Sequence, residues 1–233
     1  MSTYGKLSHI KVPLFDRFTM PLFMEVREQT LNLLSSIGCK LTKDVPTLNP
    51  NMYHVRNTEE LVQRAISLYI IGTYADNLLQ RNCTRNEARK FAQKFIDRYN
   101  SESFFSEKEK EFLDNETPNQ NEIGFLCWRW ESLYMLLWVL GFIGDVGLPT
   151  NPCDVFQCNR PFAKNRFTKN LMDASKMRGI DEIIKAKDMV NCCIDSDNKE
   201  MFDDGVLCGW NYMLEWILNQ NKDWDTITPP PGN

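Results

Sequence analysis

Arg129 and Glu131 are charged residues set into the most apolar stretch of the chain, residues 119–141, NQNEIGFLCWRWESLYMLLWVLG. Two positions apart on a helix amounts to about 200° of rotation, so they face nearly opposite sides and cannot pair with each other. An unpaired charge in apolar surroundings is costly, so each calls for a partner from another element. Asp188 or Glu215 could meet Arg129, and Arg64 or Arg178 could meet Glu131. Two chemistries are open. In one, both residues form structural ion pairs that fix how helices dock. In the other they line a cleft, with Arg129 clamping an anion, Glu131 acting as base or hydrogen-bond acceptor, and Asp188 as a further acid. Trp128, Trp130, Trp138, Trp210 and Trp216 carry the same two readings, as core or as a stacking surface for a ligand.

Other catalytic devices are thinly represented. A Ser-His-Asp or Cys-His arrangement would have to use His9 or His54, both in irregular sequence and neither beside a nucleophile motif. There is no Gly-rich phosphate loop and no dinucleotide fingerprint, so no cofactor is expected. Glu25 with Glu28, and Asp203 with Asp204, read better as a solvated helix face and a helix cap. The eight cysteines, at 39, 83, 127, 153, 158, 192, 193 and 208, contain no C-x2-C pair, and no metal site is expected. Their apolar settings point to reduced core thiols in a cytosolic protein, with Cys153 and Cys158 the first pair to inspect and Cys192–Cys193 read as adjacent buried thiols.

These residues must be positioned by helices. The stretch 119–141 is hydrophobic on every side, which marks a membrane span or the middle of a core. Its charges leave too short an uninterrupted run for a bilayer, which needs roughly 20 apolar residues. It is therefore expected as one central buried helix. Four helix starts share a capping-box signature: Asn57 with Glu60, Thr84 with Glu87, Ser106 with Glu109, and Thr117 with Gln120. They predict helices over about 58–80, 85–100 and 107–114 and into the central helix. The helix over 58–80 is expected to bury Leu61, Ala65, Leu68, Ala75 and Leu79, and that over 85–100 Ala88, Phe91, Phe95, Ile96 and Tyr99. Before them, Met20–Pro21 opens a helix that Gly38 stops, followed by a Pro- and Asn-rich connection. After Gly141, Asp154 could cap a short helix, a basic stretch reads as broken helix, and helices follow over 180–194 and from Asp203–Asp204. The expectation is an all-α single globular multi-helix domain over 20–228, with an arm at 1–19 and a Pro-rich tail at 229–233.

Bulk properties narrow the function. Hydrophobic residues make up 42 % of the 233, ample for a core, and a net charge of −4 argues against a nucleic-acid binder. Neither a membrane span nor a signal peptide is expected.

Several stretches together resemble the domain of unknown function 4272 family. The centre of the likeness is Trp128-Arg129-x-Glu131-x-Leu133-x-x-Leu136-Leu137-Trp138-x-Leu140-Gly141. Around it stand Arg27, Val45-Pro46, Arg56 with Arg64-Ala65, the 106–113 segment, Cys153-Asp154, Glu182-Ile183 with Asp188, Trp216-Ile217, and Trp224-Asp225-x-Ile227. The likeness covers roughly residues 25–228 and implies a fold but no activity. The family pattern places Arg and His where this chain has Asn191 and Cys193, and again where it has Trp210 and Asn211. Any chemistry those residues carry elsewhere is not implied here. The first functional expectation is a non-catalytic module binding a protein partner or a small ligand; the second is a hydrolase or transferase using Arg129, Glu131 and Asp188.

Overall fold

The computed structural model describes residues 23–80 and 83–227. The arm, the helix start at Met20–Pro21 and the tail lie outside the described residues. Within them the chain is all-α, with no strand and only two isolated bridges, Leu41 to Ser196 and His54 to Asn219. The helices are α1 (Phe23–Ser36), α2 (Thr58–Leu79), α3 (Arg85–Tyr99), α4 (Glu107–Asp114), α5 (Gln120–Cys127) and α6 (Arg129–Val139). They continue with α7 (Val155–Lys164), α8 (Thr168–Ala174), α9 (Ile180–Ile194) and α10 (Asp204–Leu218). No described helix is long and apolar enough to cross a membrane.

Capping chemistry sets the starts of α2, α3 and α4. Asn57, Thr84 and Ser106 each accept from the backbone N–H of Glu60, Glu87 and Glu109, whose carboxylates reach back to the cap N–H. The fourth expected box does not form. Asn115 Oδ1 takes the Thr117 N–H, and Asn119, one of the best capping residues, accepts from Glu122 and starts α5 instead. Asp154 and Asp203 cap α7 and α10 in the same manner. Gly38, at a φ of +80°, ends α1 where the left-handed region demands glycine.

The single central helix expected over 119–141 is two helices. Trp128 has ψ of −7°, and the Glu131 N–H bonds to the Trp128 carbonyl three residues back, so the α-helical ladder tightens and breaks there. The break leaves Trp128 exposed and lays its ring against Gly205 in α10. Apolar residues on both sides of the break hide it from a periodicity reading.

The centre of the molecule is shared by α2 and α6, which pack on each other. Helices α1, α9, α10, α6, α2 and α3 each touch the next in that order; α5 and α8 also lie on α2, and α7 on α6. The α2 stripe is wider than expected, with Ile66, Ile70 and Ile71 fully enclosed beside Leu61 and Leu68. Two residues expected inside lie outside: Leu79 at the frayed end of α2 and Phe91 on the outer side of α3 are 49 % and 42 % exposed. Phe91 packs edge-on to Phe95, an aromatic pair at the margin of the core.

Two arginines close helix C-termini, where unpaired carbonyls and the dipole favour a cation. Arg178 donates to the carbonyls of Trp138, Ile143 and Gly144, lies over the Trp138 ring at 4.6 Å, and pairs with Glu182. Arg56 donates to the carbonyls of Trp216, Asn219 and Lys222 and lies 4.2 Å from the Trp216 ring. The connection before α2 is thus tied to the last helix. It is also tied to the end of α9, through Thr42 N–H to the Asp195 carbonyl and Asp197 N–H to the Lys40 carbonyl.

Candidate ligand-binding pocket

None of the four ion pairs expected for the central charges forms. Asp188 instead takes two hydrogen bonds from Arg27 of α1, at 3.0 and 2.5 Å, and is almost fully enclosed. Glu215 meets Lys187 and Lys222; Arg64 meets Glu109; Arg178 meets Glu182. Each of these carboxylates is satisfied by a cation its own neighbourhood supplies, which the spacing along the chain cannot reveal.

Glu131 points into the core on the α7 side. Its Oε1 accepts from the Cys153 backbone N–H at 2.6 Å and its Oε2 from the Trp210 indole N–H at 3.2 Å. Burial raises its pKa, opposed by those same hydrogen bonds. Trp210 also stacks on Tyr134, and burial pushes the Tyr134 hydroxyl up to about 12. Trp138 is enclosed beneath Arg178. Trp138 and Trp210 are therefore core side chains and do not line the pocket described next.

Arg129 points the other way, into a cavity of about 120 Å³ between α5, α6 and α10. The cavity is lined by Phe125, Trp128, Arg129 and Ser132 on one side and by Gly205, Cys208, Gly209 and Tyr212 on the other. The guanidinium has no ion pair among the described residues. It lies between aromatic rings instead, 4.7 Å from the centroid of Tyr212, 5.0 Å from that of Trp224 and 5.1 Å from that of Phe125. Tyr212 donates its hydroxyl proton to the Trp224 carbonyl. The Arg129 Nε is buried without a partner.

Close helix approach makes the cavity. A methyl group built on Gly209 would stand 2.5 Å from the Glu131 Cβ, and one on Gly205 would enter the Trp128 ring. Glycine at both positions lets α10 lie against α6, and Cys208 and Tyr212 continue the same face. Burial raises the Cys208 pKa, with Arg129 pulling it down and the exposed Asp204 pushing it up.

The expected set is thus divided. Trp128 and Arg129 share one cavity, Glu131 with Trp210 lies behind α6, and Asp188 lies on α9 against α1. The structure does not bring Arg129, Glu131 and Asp188 together. Sequence reasoning missed Phe125, Ser132, Gly205, Cys208, Gly209 and Tyr212. The Gly205-x-x-x-Gly209 spacing, with Tyr212 three residues on, is the signal that marks a close-approach face of α10.

The model of the family described as Domain of unknown function (DUF4272) matches residues 27–227. The chain belongs to this family. The match takes in every pocket residue and the Arg27–Asp188 pair. No curated protein and no solved structure matches the chain. All eight cysteines of this family member are free, and no group of three or more His, Cys, Asp or Glu among the described residues could hold a metal ion.

Proposed function

We propose that this DUF4272 domain is a non-catalytic binding module whose ligand is a small organic anion with one aromatic ring or branched chain. The observation that carries this reading is Arg129: a guanidinium with no carboxylate partner at the wall of an otherwise apolar cavity. A volume of about 120 Å³ suits a single ring, since cavities of about 150 Å³ take benzene. Arg129 and Ser132 in the first turn of α6 and Gly205 in that of α10 line this space, which puts the cation at the junction of the two helices. Phe125 and Trp128, 54 % and 43 % exposed, give the entrance an apolar rim. The cytoplasm fits this module, because its many unbridged thiols suit a reducing compartment.

Titration with benzoate and with its neutral analogue benzamide, followed by tryptophan fluorescence and by the amide signals of Gly205 and Gly209, tests the reading. Benzoate is expected to saturate the signal and benzamide to bind more weakly. Arg129→Met is expected to weaken benzoate binding by about tenfold or more, the scale of one lost hydrogen bond to a charged group. Equal binding of the two probes, or unchanged benzoate affinity in a folded Arg129→Met variant, overturns it.

A further inference from the structure

On the opposite side of α6 from the pocket, three groups that can do chemistry meet away from solvent. Cys153 stands just before the capping residue Asp154, and Cys158 is the fourth residue of α7. Those two positions face each other across the first turn of a helix and ordinarily hold a pair of apolar side chains, the hydrophobic staple. Here both are thiols, set against each other by their positions on either side of the cap. Cys158 is fully enclosed, whereas Cys153 is partly exposed. The Glu131 carboxylate lies against Cys153: its Oε1 holds the Cys153 backbone N–H at 2.6 Å and its Oε2 is fixed by the Trp210 indole. A thiol thus lies between a second thiol and a carboxylate of fixed orientation.

We infer that Cys153 and Cys158 are a redox modification site that closes into an intramolecular disulfide on reaction with a peroxide, with Cys153 attacking and Glu131 taking its proton. The Cys153 S–H proton passes to Glu131, and the sulfur attacks one peroxide oxygen. The O–O bond breaks, leaving a sulfenic acid on Cys153 and a hydroxide that recovers the proton as water. The Cys158 sulfur then attacks the sulfenic sulfur, the S–O bond breaks, and the Cys158 proton leaves with the hydroxyl as a second water. Two thiols are oxidised by two electrons and one peroxide is reduced to two waters. The staple geometry matters because a disulfide needs its Cβ atoms about 3.5–4.5 Å apart, which residues in contact across one turn satisfy with little backbone movement.

The neighbouring Cys158 thiol, burial and the charge of Glu131 all disfavour a Cys153 thiolate, so the pair is neutral at rest and attack requires the proton to pass to Glu131 as the sulfur reaches the peroxide. At Cys192 the carboxylate one turn back, Asp188, is held by Arg27. Burial pushes the Cys192 thiol up to about 12, and adjacent residues on a continuous helix cannot close without breaking it.

The test treats the folded full-length chain with hydrogen peroxide, alkylates remaining thiols, digests, and maps the cysteines by mass spectrometry. The expected product is a peptide joined through Cys153 and Cys158 that lacks two hydrogens. A Cys158→Ser variant is expected to accumulate a sulfenic acid at Cys153 that dimedone traps. Glu131→Gln, checked by circular dichroism for retained helix content, is expected to slow closure by about tenfold or more. Recovery of both cysteines as alkylated thiols while the half-buried Cys83 is oxidised overturns the site. Unchanged closure in Glu131→Gln overturns the role of the carboxylate.

Discussion

The Arg64 guanidinium and the Glu109 carboxylate form a buried pair in which one nitrogen donates to both oxygens, at 2.9 and 2.8 Å. Glu109 simultaneously accepts the Ser106 N–H at 2.9 Å and so completes the capping box of α4. One side chain therefore starts a helix and fastens it to the centre of the molecule. Arg64 in turn lies 4.7 Å from the Trp224 ring, the same ring that receives Arg129.

Removing that carboxylate strands a buried cation. Glu109→Ala is expected to lower the unfolding free energy by about 3–5 kcal/mol, measured by urea denaturation. The double variant Arg64→Met/Glu109→Leu is expected to lose less than the single one, because no charge is left unpaired. A single-variant loss below that of the double would contradict this assignment.

Two glycine substitutions should move stability in opposite directions. Gly209→Ala puts a methyl group 2.5 Å from the Glu131 Cβ, so α10 must shift away from α6, at an expected cost of about 1–3 kcal/mol. Gly124→Ala, inside α5, meets nothing within 4 Å and should gain up to about 1 kcal/mol through helix propensity. Thermal unfolding of both variants checks the pair of signs.

Glu131 carries a pH signature. Its pKa is raised above the ordinary 4.5 by burial, so the folded protein holds this proton more tightly than the unfolded chain does. The stability it contributes is present below the ordinary value and is lost as pH rises through the folded one. Glu131→Gln cannot ionise, so it is expected to gain on the wild type as pH rises from about 4 toward 7. Urea midpoints over that range measure the difference. A gap that stays constant with pH would remove ionisation as the cause.

Most helix positions were legible because they are written locally. A cap and an acid three residues later mark the starts of α2, α3 and α4, and Asp203 marks that of α10. The break at Trp128 was not, because both of its flanks are apolar and only backbone geometry separates α5 from α6. Partners of charges were not legible either. The separation of 161 positions between Arg27 and Asp188 carries no periodic signal, and the aromatic surroundings of Arg129 come from three separate segments. The pocket lay half in view: Trp128 and Arg129 stood out by type, whereas Gly205 and Gly209 matter for what they lack.

The ties between the segment before α2 and the end of α10 also bear on synthesis. Arg56 is made 160 residues before the Trp216 carbonyl it holds, and the Thr42 backbone waits 153 residues for Asp195. While the chain emerges from a ribosome, the middle helices can collapse on one another, but α1 and its connection have nothing to close on. A nascent chain halted before α10 would therefore expose the faces of α6 and α9 that this helix covers, marking it as unfinished to chaperones and proteases.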